Sequence, residues 1–283
     1  MENLSNTNYK VIKVFNNNVL FVSHDKNEKI LFGKGIGFGK RTGDIIANSI
    51  KIDKIFSIED KSNNSNFNEL ASKLDNNFIG LCEEVIYMIS NEFDKELNER
   101  IHISLIDHIA YTIKRLKENN NLNNPFLVEI ETLYKKEYEI AGKAVKILED
   151  RLKISIPDDE IGFIALHIHS SINKEKVSTA YRYTYLCSKI VSFIEEALAI
   201  KIDKKSLDYA RFLTHIRFAI ERIINGIIIK NELLDIIKSQ YSDSYEIAIK
   251  VSEIIQADIN VKVVEEEVAY IAMHIQRIKS SIM

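Results

Sequence analysis

The chain has 283 residues, of which 46% are hydrophobic and 28% are charged, with a formal net charge of −3. Its longest apolar runs are far shorter than the roughly 20 residues that a helix needs to cross a bilayer, and the N-terminus shows no signal-peptide core. The sequence therefore excludes a membrane-spanning protein and predicts a soluble, cytoplasmic protein of two or three globular domains.

The first 60 residues predict a small domain made of strands. Short β-rich runs alternate between residues 9 and 56 with turn clusters, the runs being YKVIKVF, VLFV, KILF and SIKIDKIF and the turns NNN, HDKNEK and GKGIGFGKRTGD. This alternation predicts an antiparallel sheet. Residues 1 to 56 hold nine Lys and Arg against five Asp and Glu, a balance of +4, so the remainder carries −7. This basic N-terminal domain, called the head below, has the charge expected of a domain that binds phosphate groups.

The polar, aperiodic residues 57 to 66 predict a linker, and the chain beyond them predicts helices only. From Phe67 onward apolar residues recur three and four positions apart, which is helical periodicity. Pro157 followed by three acidic residues predicts a helix start, and residues 172 to 180 form the next polar break. The two cysteines, Cys82 and Cys187, lack metal-ligand spacing and predict unpaired structural thiols in a reducing compartment.

The helical body is an internal duplication. His108 and His215, Tyr138 and Tyr245, and His167 and His274 are each separated by 107 positions. Around them YEIAGKAVKIL matches YEIAIKVSEII, and DEIGFIALHI matches EEVAYIAMHI. The predicted architecture is multidomain: a small antiparallel all-β domain at 1–60, then two homologous all-α helical-bundle domains at 66–171 and 177–283.

The four repeat-matched histidines are candidate site residues, because histidine titrates near neutral pH and its ring nitrogen can act as a nucleophile or metal ligand. The alternative interpretation is that they are partly buried core residues that both copies inherited through the duplication. A metal site is disfavoured, since His169 is matched by Gln276 in the second copy and positions i and i+2 of a helix point about 200° apart. His24 and His102 have no matched partner and predict ordinary surface residues.

Two segments of the head are candidates for nucleic-acid contact. Residues 16 to 18 are three successive asparagines, more than a turn requires, and carboxamides can donate to and accept from bases or phosphates. The glycine-rich run from Gly33 to Arg41 is either a flexible turn or a platform in which Phe38 stacks on a base beside Lys34. It does not fit the phosphate-binding pattern GxxxxGK[ST].

Six motifs, in order, resemble those of the BglG/SacY-type transcriptional antiterminators, which the sugar phosphotransferase system (PTS) controls. They are KVFNNNVL at 13 to 20, GKGIGFGKR at 33 to 41, LIDHIAY at 105 to 111, DEIGFIALHI at 159 to 168, FLTHIRFAIERI at 212 to 223 and EEVAYIAMHI at 266 to 275. The resemblance covers essentially the whole chain. It implies a dimeric co-antiterminator domain that binds a leader-mRNA hairpin and prevents terminator formation, followed by two PTS regulation domains.

The resemblance also assigns residues and partners. It implies RNA contacts by Lys13, Asn16, Asn18, Gly33, Lys34 and Phe38, and phosphorylation of His108, His167, His215 and His274. Lys34 stands where the family often has arginine, which weakens a bidentate contact. The expected partners are the phosphocarrier HPr and a sugar-specific enzyme II, with no cofactor, no metal and no enzymatic activity. The alternatives are a DNA-binding activator, disfavoured because the head predicts no helix for the major groove, and a metal-dependent enzyme.

Overall fold

The computed structural model describes residues 8–25, 27–47 and 50–282. Lys26 of the predicted turn HDKNEK, Ser49 of the predicted strand SIKIDKIF and most of the N-terminal segment lie outside the described residues. The predicted fold class, a small antiparallel sheet followed by helical domains, is confirmed.

The head is a five-stranded antiparallel sheet with the strand order β4-β1-β2-β3-β5. Its strands are β1 (Tyr9–Val14), β2 (Val19–His24), β3 (Asn27–Phe32), β4 (Ile45–Ile46) and β5 (Lys54–Ile58). The central strand β2 pairs with β1 and β3, with Phe21 opposite both Lys13 and Ile30. Since β2 is covered on both faces, its residues form the continuous apolar run VLFV instead of an alternating pattern.

The two faces of the sheet have different neighbours. One face carries Val11, Leu20 and Leu31, which form the small core of the head. On the other face, Phe15 and Phe21 pack against Phe67 of the first helix, with ring centroids 6.1 and 5.2 Å away. The sheet therefore shares a core with the helix that follows it.

The predicted linker at residues 57 to 66 is wrong. Strand β5 extends to Ile58, and helix α1 (Lys61–Lys73) begins three residues later. Asp60 is the N-cap and accepts hydrogen bonds from the backbone amides of Ser62 and Asn63. Periodicity failed as a signal because the first turns of α1 are polar and the helix buries only Phe67 and Ala71.

The rest of the described chain is helical. Beyond α1 the helices are α2 (Asn76–Asn91), α3 (Ile101–Lys117), α4 (Leu127–Leu133), α5 (Lys135–Leu152), α6 (Asp158–Asn173), α7 (Val177–Leu198), α8 (Leu207–Ile224), α9 (Leu234–Gln240), α10 (Ser242–Ile259) and α11 (Glu265–Ile282). Helix α6 starts directly after its N-cap Pro157, as predicted, and the polar break around 172 to 180 contains the end of α6 and the start of α7. Both cysteines are buried and unpaired.

The chain forms two compact units. The first contains the head, α1 to α3, α5 and α6, and spans the described residues up to 124 and 136–177. The second contains residues 125–135 and those from 178 onward. Its core is built from the inner faces of α7, α8, α10 and α11, which contribute buried residues such as Leu186, Phe212, Ile255 and Ile275. Helix α4 packs on α8 in this second unit.

Replacing Phe67 with alanine should destabilise the first unit strongly. The ring is 1% exposed, and truncating such a phenylalanine removes buried area and leaves a cavity, at a cost of about 3–5 kcal/mol. Phe38→Ala is the matched control, because its ring is 76% exposed and the same truncation should cost about 0.5 kcal/mol or less. Urea unfolding followed by near-ultraviolet circular dichroism measures both; equal losses would contradict this packing.

Candidate functional site

The structure brings the histidines of each pair together. In the first copy His108 on α3 and His167 on α6 have ring centroids 4.9 Å apart. In the second copy His215 on α8 and His274 on α11 stack at 4.0 Å with an interplanar angle of 18°. Each pair therefore forms one imidazole cluster between two facing helices.

An arginine and a glutamate complete each cluster, and sequence reasoning missed both. Arg115 lies seven residues after His108, and Glu160 lies seven residues before His167. Arg222 and Glu267 repeat these positions in the second copy. Seven residues are two helical turns, so each residue shares a face with its histidine. The signal was available, because both residues keep the 107-residue offset of the histidines.

The two clusters differ in how the carboxylate is held. In the second copy Arg222 binds Glu267 through two hydrogen bonds, of 2.6 and 2.7 Å. In the first copy Arg115 contacts one oxygen of Glu160. The other Glu160 oxygen lies 3.2 Å from Nε2 of His108. The first carboxylate is therefore shared between an arginine and a histidine, whereas both oxygens of the second are bound by its arginine.

Thr112 also contributes to the first cluster, donating a hydrogen bond of 2.8 Å to Glu160. Burial alone would raise the pKa of the Glu160 carboxyl, but the neighbouring His108, Thr112 and Arg115 lower it below its ordinary value. Glu160 is therefore an anion held inside the helical bundle.

The second histidine of each pair is neutral at physiological pH. Burial, and then the neighbouring His108, lowers the pKa of His167 to about 3. Burial, His215 and the nearby Arg277 and Arg222 lower the pKa of His274 to about 4. A neutral imidazole keeps a lone pair on one ring nitrogen, which is the form in which histidine can act as a nucleophile.

The second pair opens into a cleft of about 380 Å³. Its walls include His215, His274 and Arg222, together with apolar residues such as Ile229 and Met273. The pKa of His215 is also lowered, by burial and by Arg222 and Arg277. The cleft therefore places two imidazoles beside a guanidinium that is already paired with Glu267.

The remaining histidines are not part of these clusters. His169 contacts Glu137 at 2.9 Å instead of facing His167, and no group of three His, Cys, Asp or Glu within the described residues could hold a metal ion. The prediction that His24 and His102 are surface residues is wrong. The His24 side chain is 13% exposed, and His102 is 2% exposed, with Nδ1 2.8 Å from Glu83. His102 is covered by Phe56, which a strand of the head supplies.

The asparagine turn and the glycine-rich run form one surface on the head. The Gly37 amide donates to the carbonyl of Asn17 at 2.9 Å, and the Gly35 amide donates to the side-chain oxygen of Asn18 at 3.1 Å. A Cβ at Gly37 would lie 2.2 Å from the carbonyl oxygen of Asn16, so this close approach requires glycine. Phe38, at the tip, is 76% exposed.

The structure divides the six predicted RNA-binding residues into two sets. Gly33, Lys34 and Phe38 lie on the glycine-rich run, where Lys34 and Phe38 are exposed. The remaining three contact the helices of the same unit: Asn16 and Asn18 each donate a hydrogen bond of 3.0 Å to Glu84 of α2. Lys13 donates to the carbonyl of Ala71 near the end of α1.

Comparison with known proteins identifies relatives along the whole chain. The family model described as CAT RNA binding domain matches residues 9–65, and the PRD domain model matches residues 83–171 and 188–278. The protein named GlcT of Staphylococcus saprophyticus is 38% identical over 269 residues, 94% of this chain and 96% of that protein. Transcription antiterminator LicT of Bacillus subtilis is 32% identical over 95% of this chain and 98% of its own length.

Similarity to a solved structure extends to the fold. The crystal structure of GlcT CAT-PRDI is 43% identical, with a TM-score of 0.51, and the match covers 58% of this chain and 98% of that one. In the part of the chain that the structure describes, no helix is long and apolar enough to cross a membrane.

The depressed pKa of His274 predicts a pH-dependent stability. The unfolded histidine binds a proton near pH 6.5 and the folded one near pH 4, so the unfolded state takes up more protons and stability falls as pH decreases through this window. In His274→Gln this contribution is absent, and the stability should fall less steeply below pH 6.5 than in the wild type. Urea midpoints between pH 8 and pH 4 test this; parallel curves over the whole range would contradict it.

Proposed function

Because the chain belongs to the BglG/SacY-type family of antiterminators, which join a CAT RNA-binding domain to PRD domains, we propose that it binds a leader-mRNA hairpin as a homodimer and thereby prevents formation of the overlapping terminator. The observation that carries this proposal is the continuous surface made by the asparagine turn and the glycine-rich run, with Phe38 exposed at its tip. The protein is then a cytoplasmic regulator and not an enzyme.

The chemistry of this surface suits an RNA hairpin better than duplex DNA. Phe38 offers a free ring face on which an unpaired base can stack, and the Lys34 ammonium beside it can pair with a phosphate. The carboxamides of Asn16 and Asn18 can read base edges or hold phosphate oxygens. An exposed ring at a loop tip has no counterpart to stack on inside an intact DNA duplex, whose bases are paired.

Phe38→Ala should weaken binding to a hairpin RNA, because the stacking of one base on an aromatic ring contributes about 1–3 kcal/mol. This corresponds to an affinity loss of roughly tenfold to a hundredfold. The RNA is a hairpin that the full-length chain selects from a pool of randomised stem-loops, and affinity is measured by mobility shift at fixed salt.

Two controls accompany this measurement. Lys51→Ala removes an exposed charge of the head that lies outside the asparagine turn and glycine-rich run, and it should change the affinity much less than Phe38→Ala. Duplex DNA of equal length should not compete. Selection of no hairpin RNA, or equal affinity for DNA, would overturn the proposed function.

The second part of the proposal is control by phosphorylation of His108, His167, His215 and His274, with HPr and a sugar-specific enzyme II as donors. A phosphoryl group adds about two negative charges and new acceptor oxygens to the site that receives it. At a dimer interface this charge either repels the partner chain or forms new bonds that hold the two chains together. In the family-derived scheme, enzyme II acts on the first copy and inhibits, whereas HPr acts on the second copy and activates.

The arginine–glutamate pairs would respond differently to a phosphoryl group in the two copies. A phosphoryl group on Nε2 of His108 would meet the Glu160 carboxylate, which lies 3.2 Å from that nitrogen. A phosphoryl group in the second cleft would find Arg222 in the cleft wall, ready to exchange its bond to Glu267 for a bond to phosphate. We therefore assign Arg222 the role of a positioning residue for phosphorylation of the second copy.

Arg222→Gln should slow phosphoryl transfer from HPr to the second copy by about tenfold or more, since a charge-assisted hydrogen bond contributes about 1.5–3 kcal/mol. Transfer of radiolabelled phosphate to a chain carrying alanine at His108 and His167 isolates this step, and the phosphorus NMR shift of the product reports direct contact. Arg182→Gln, which breaks an ion pair with Asp258 elsewhere in the same unit, is the matched control. Equal rates and unchanged shifts in both variants would contradict the role.

A further inference from the structure

The polar contacts that fasten the asparagine turn to helix α2 converge on one carboxylate. Oε1 of Glu84 accepts hydrogen bonds from the side-chain amides of both Asn16 and Asn18, each 3.0 Å long. Its other oxygen, Oε2, lies 3.3 Å from the Arg151 guanidinium. Glu84 is 14% exposed, so these bonds are partly shielded from water.

The C-terminal end of α1 also contacts this edge of the head. Lys13 donates to the carbonyl of Ala71, in the last turn of α1. The last carbonyls of a helix lack partners within the helix and carry the negative end of its dipole. The edge of the head formed by Lys13, Asn16 and Asn18 therefore meets a carboxylate and a helix C-terminus, two groups that present oxygen acceptors with negative charge, as an RNA phosphate does.

The close fit depends on one glycine of α2. A Cβ at Gly80 would lie 2.5 Å from Nδ2 of Asn16 and 2.7 Å from its Cγ. Glycine in a helix interior costs about 1 kcal/mol relative to alanine, so α2 gives up helix stability at the position where Asn16 must approach. Gly80 therefore allows the contact with Asn16, whereas the helix itself would be more stable with alanine at this position.

We propose that this contact is autoinhibitory: Glu84 and the end of α1 occupy the half of the RNA-binding surface formed by Lys13, Asn16 and Asn18, so that RNA must displace them in order to bind fully. The inference rests on the proposed RNA-binding function. The other half, with Lys34 and Phe38, is exposed in the same state and is free to make the first contact with RNA.

The competition is between two sets of oxygen acceptors for the same donors. In the closed state the donors are satisfied by Glu84 and by α1; in the RNA-bound state they are satisfied by the hairpin. We call a chain open when Glu84 and α1 do not contact these donors. The observed dissociation constant for RNA is then the dissociation constant of the open chain divided by the fraction of chains that are open. Any change that weakens the contact without altering the head should increase the affinity for RNA.

Two variants weaken the contact by independent means. Gly80→Ala places a methyl group against the Asn16 amide and leaves every charge unchanged. Glu84→Gln keeps the shape of the side chain but replaces charge-assisted hydrogen bonds with neutral ones, which are roughly half as strong. We expect each variant, in the full-length chain, to bind the selected hairpin RNA about tenfold more tightly than the wild type.

Each variant has a matched control in the same unit. A Cβ at Gly142 of α5 meets no atom within 4 Å, so Gly142→Ala gives the same gain in helix propensity without touching the head. Glu92→Gln removes one negative charge at the end of α2, where Glu92 pairs with Lys143 at 2.6 Å. Both controls should bind RNA with nearly wild-type affinity, which separates the contact from general stabilisation and from net charge.

Hydrogen exchange of free chains provides a second readout. Without RNA, amides of residues 16 to 18 should exchange faster in Gly80→Ala and Glu84→Gln than in the controls. Faster exchange with unchanged RNA affinity, or weaker RNA binding by these two variants, would overturn the autoinhibition while leaving the proposed function intact. If no variant binds any hairpin RNA although all are folded, the proposed function fails, and this inference fails with it.

Discussion

The packing of Phe15 and Phe21 of the sheet against Phe67 of α1 determines the geometry of the first unit. These rings lie within about 6 Å of one another and are almost fully buried. Because the head and the first helices share this core, the asparagine turn is held against α2 and not in solvent. The contact with Glu84 follows from this packing, while Phe38 on the adjoining glycine-rich run remains exposed.

Duplication has preserved the histidine clusters while altering what covers each copy. In the first copy His102 is paired with Glu83 on α2 and covered by Phe56 of the head. At the corresponding place in the second copy stands Tyr209, 107 residues later, and its hydroxyl donates to Glu129 of α4 at 3.0 Å. In both copies the residue at this position therefore contacts a buried carboxylate, but α2 supplies it in the first copy and α4 in the second.

Periodicity and repeat matching predicted the sheet, the helical body and the paired histidines, because each depends on local patterns or on a fixed offset. They could not predict helix α1, whose polar first turns hide its two buried residues, or the burial of His102, whose partners Glu83 and Phe56 are distant in sequence. Arg222 and Glu267 were detectable by their offset, but their bidentate bond required the structure. The only sequence signal for the contact of Glu84 with the asparagine turn is Gly80. Glycine is unfavourable inside a helix, and only the structure shows that Asn16 lies against it.

A carboxylate stands at three of the places where the proposed function brings a phosphate. Glu84 holds the donors of the asparagine turn, and Glu160 and Glu267 hold the arginines beside the histidine pairs. Donors that faced no anion would be unsatisfied and costly to bury. With a resident carboxylate they remain satisfied and oriented, and binding of a phosphate becomes an exchange of one anion for another. Such an exchange changes the free energy by the difference between two similar interactions, so modest changes in charge are sufficient to reverse it.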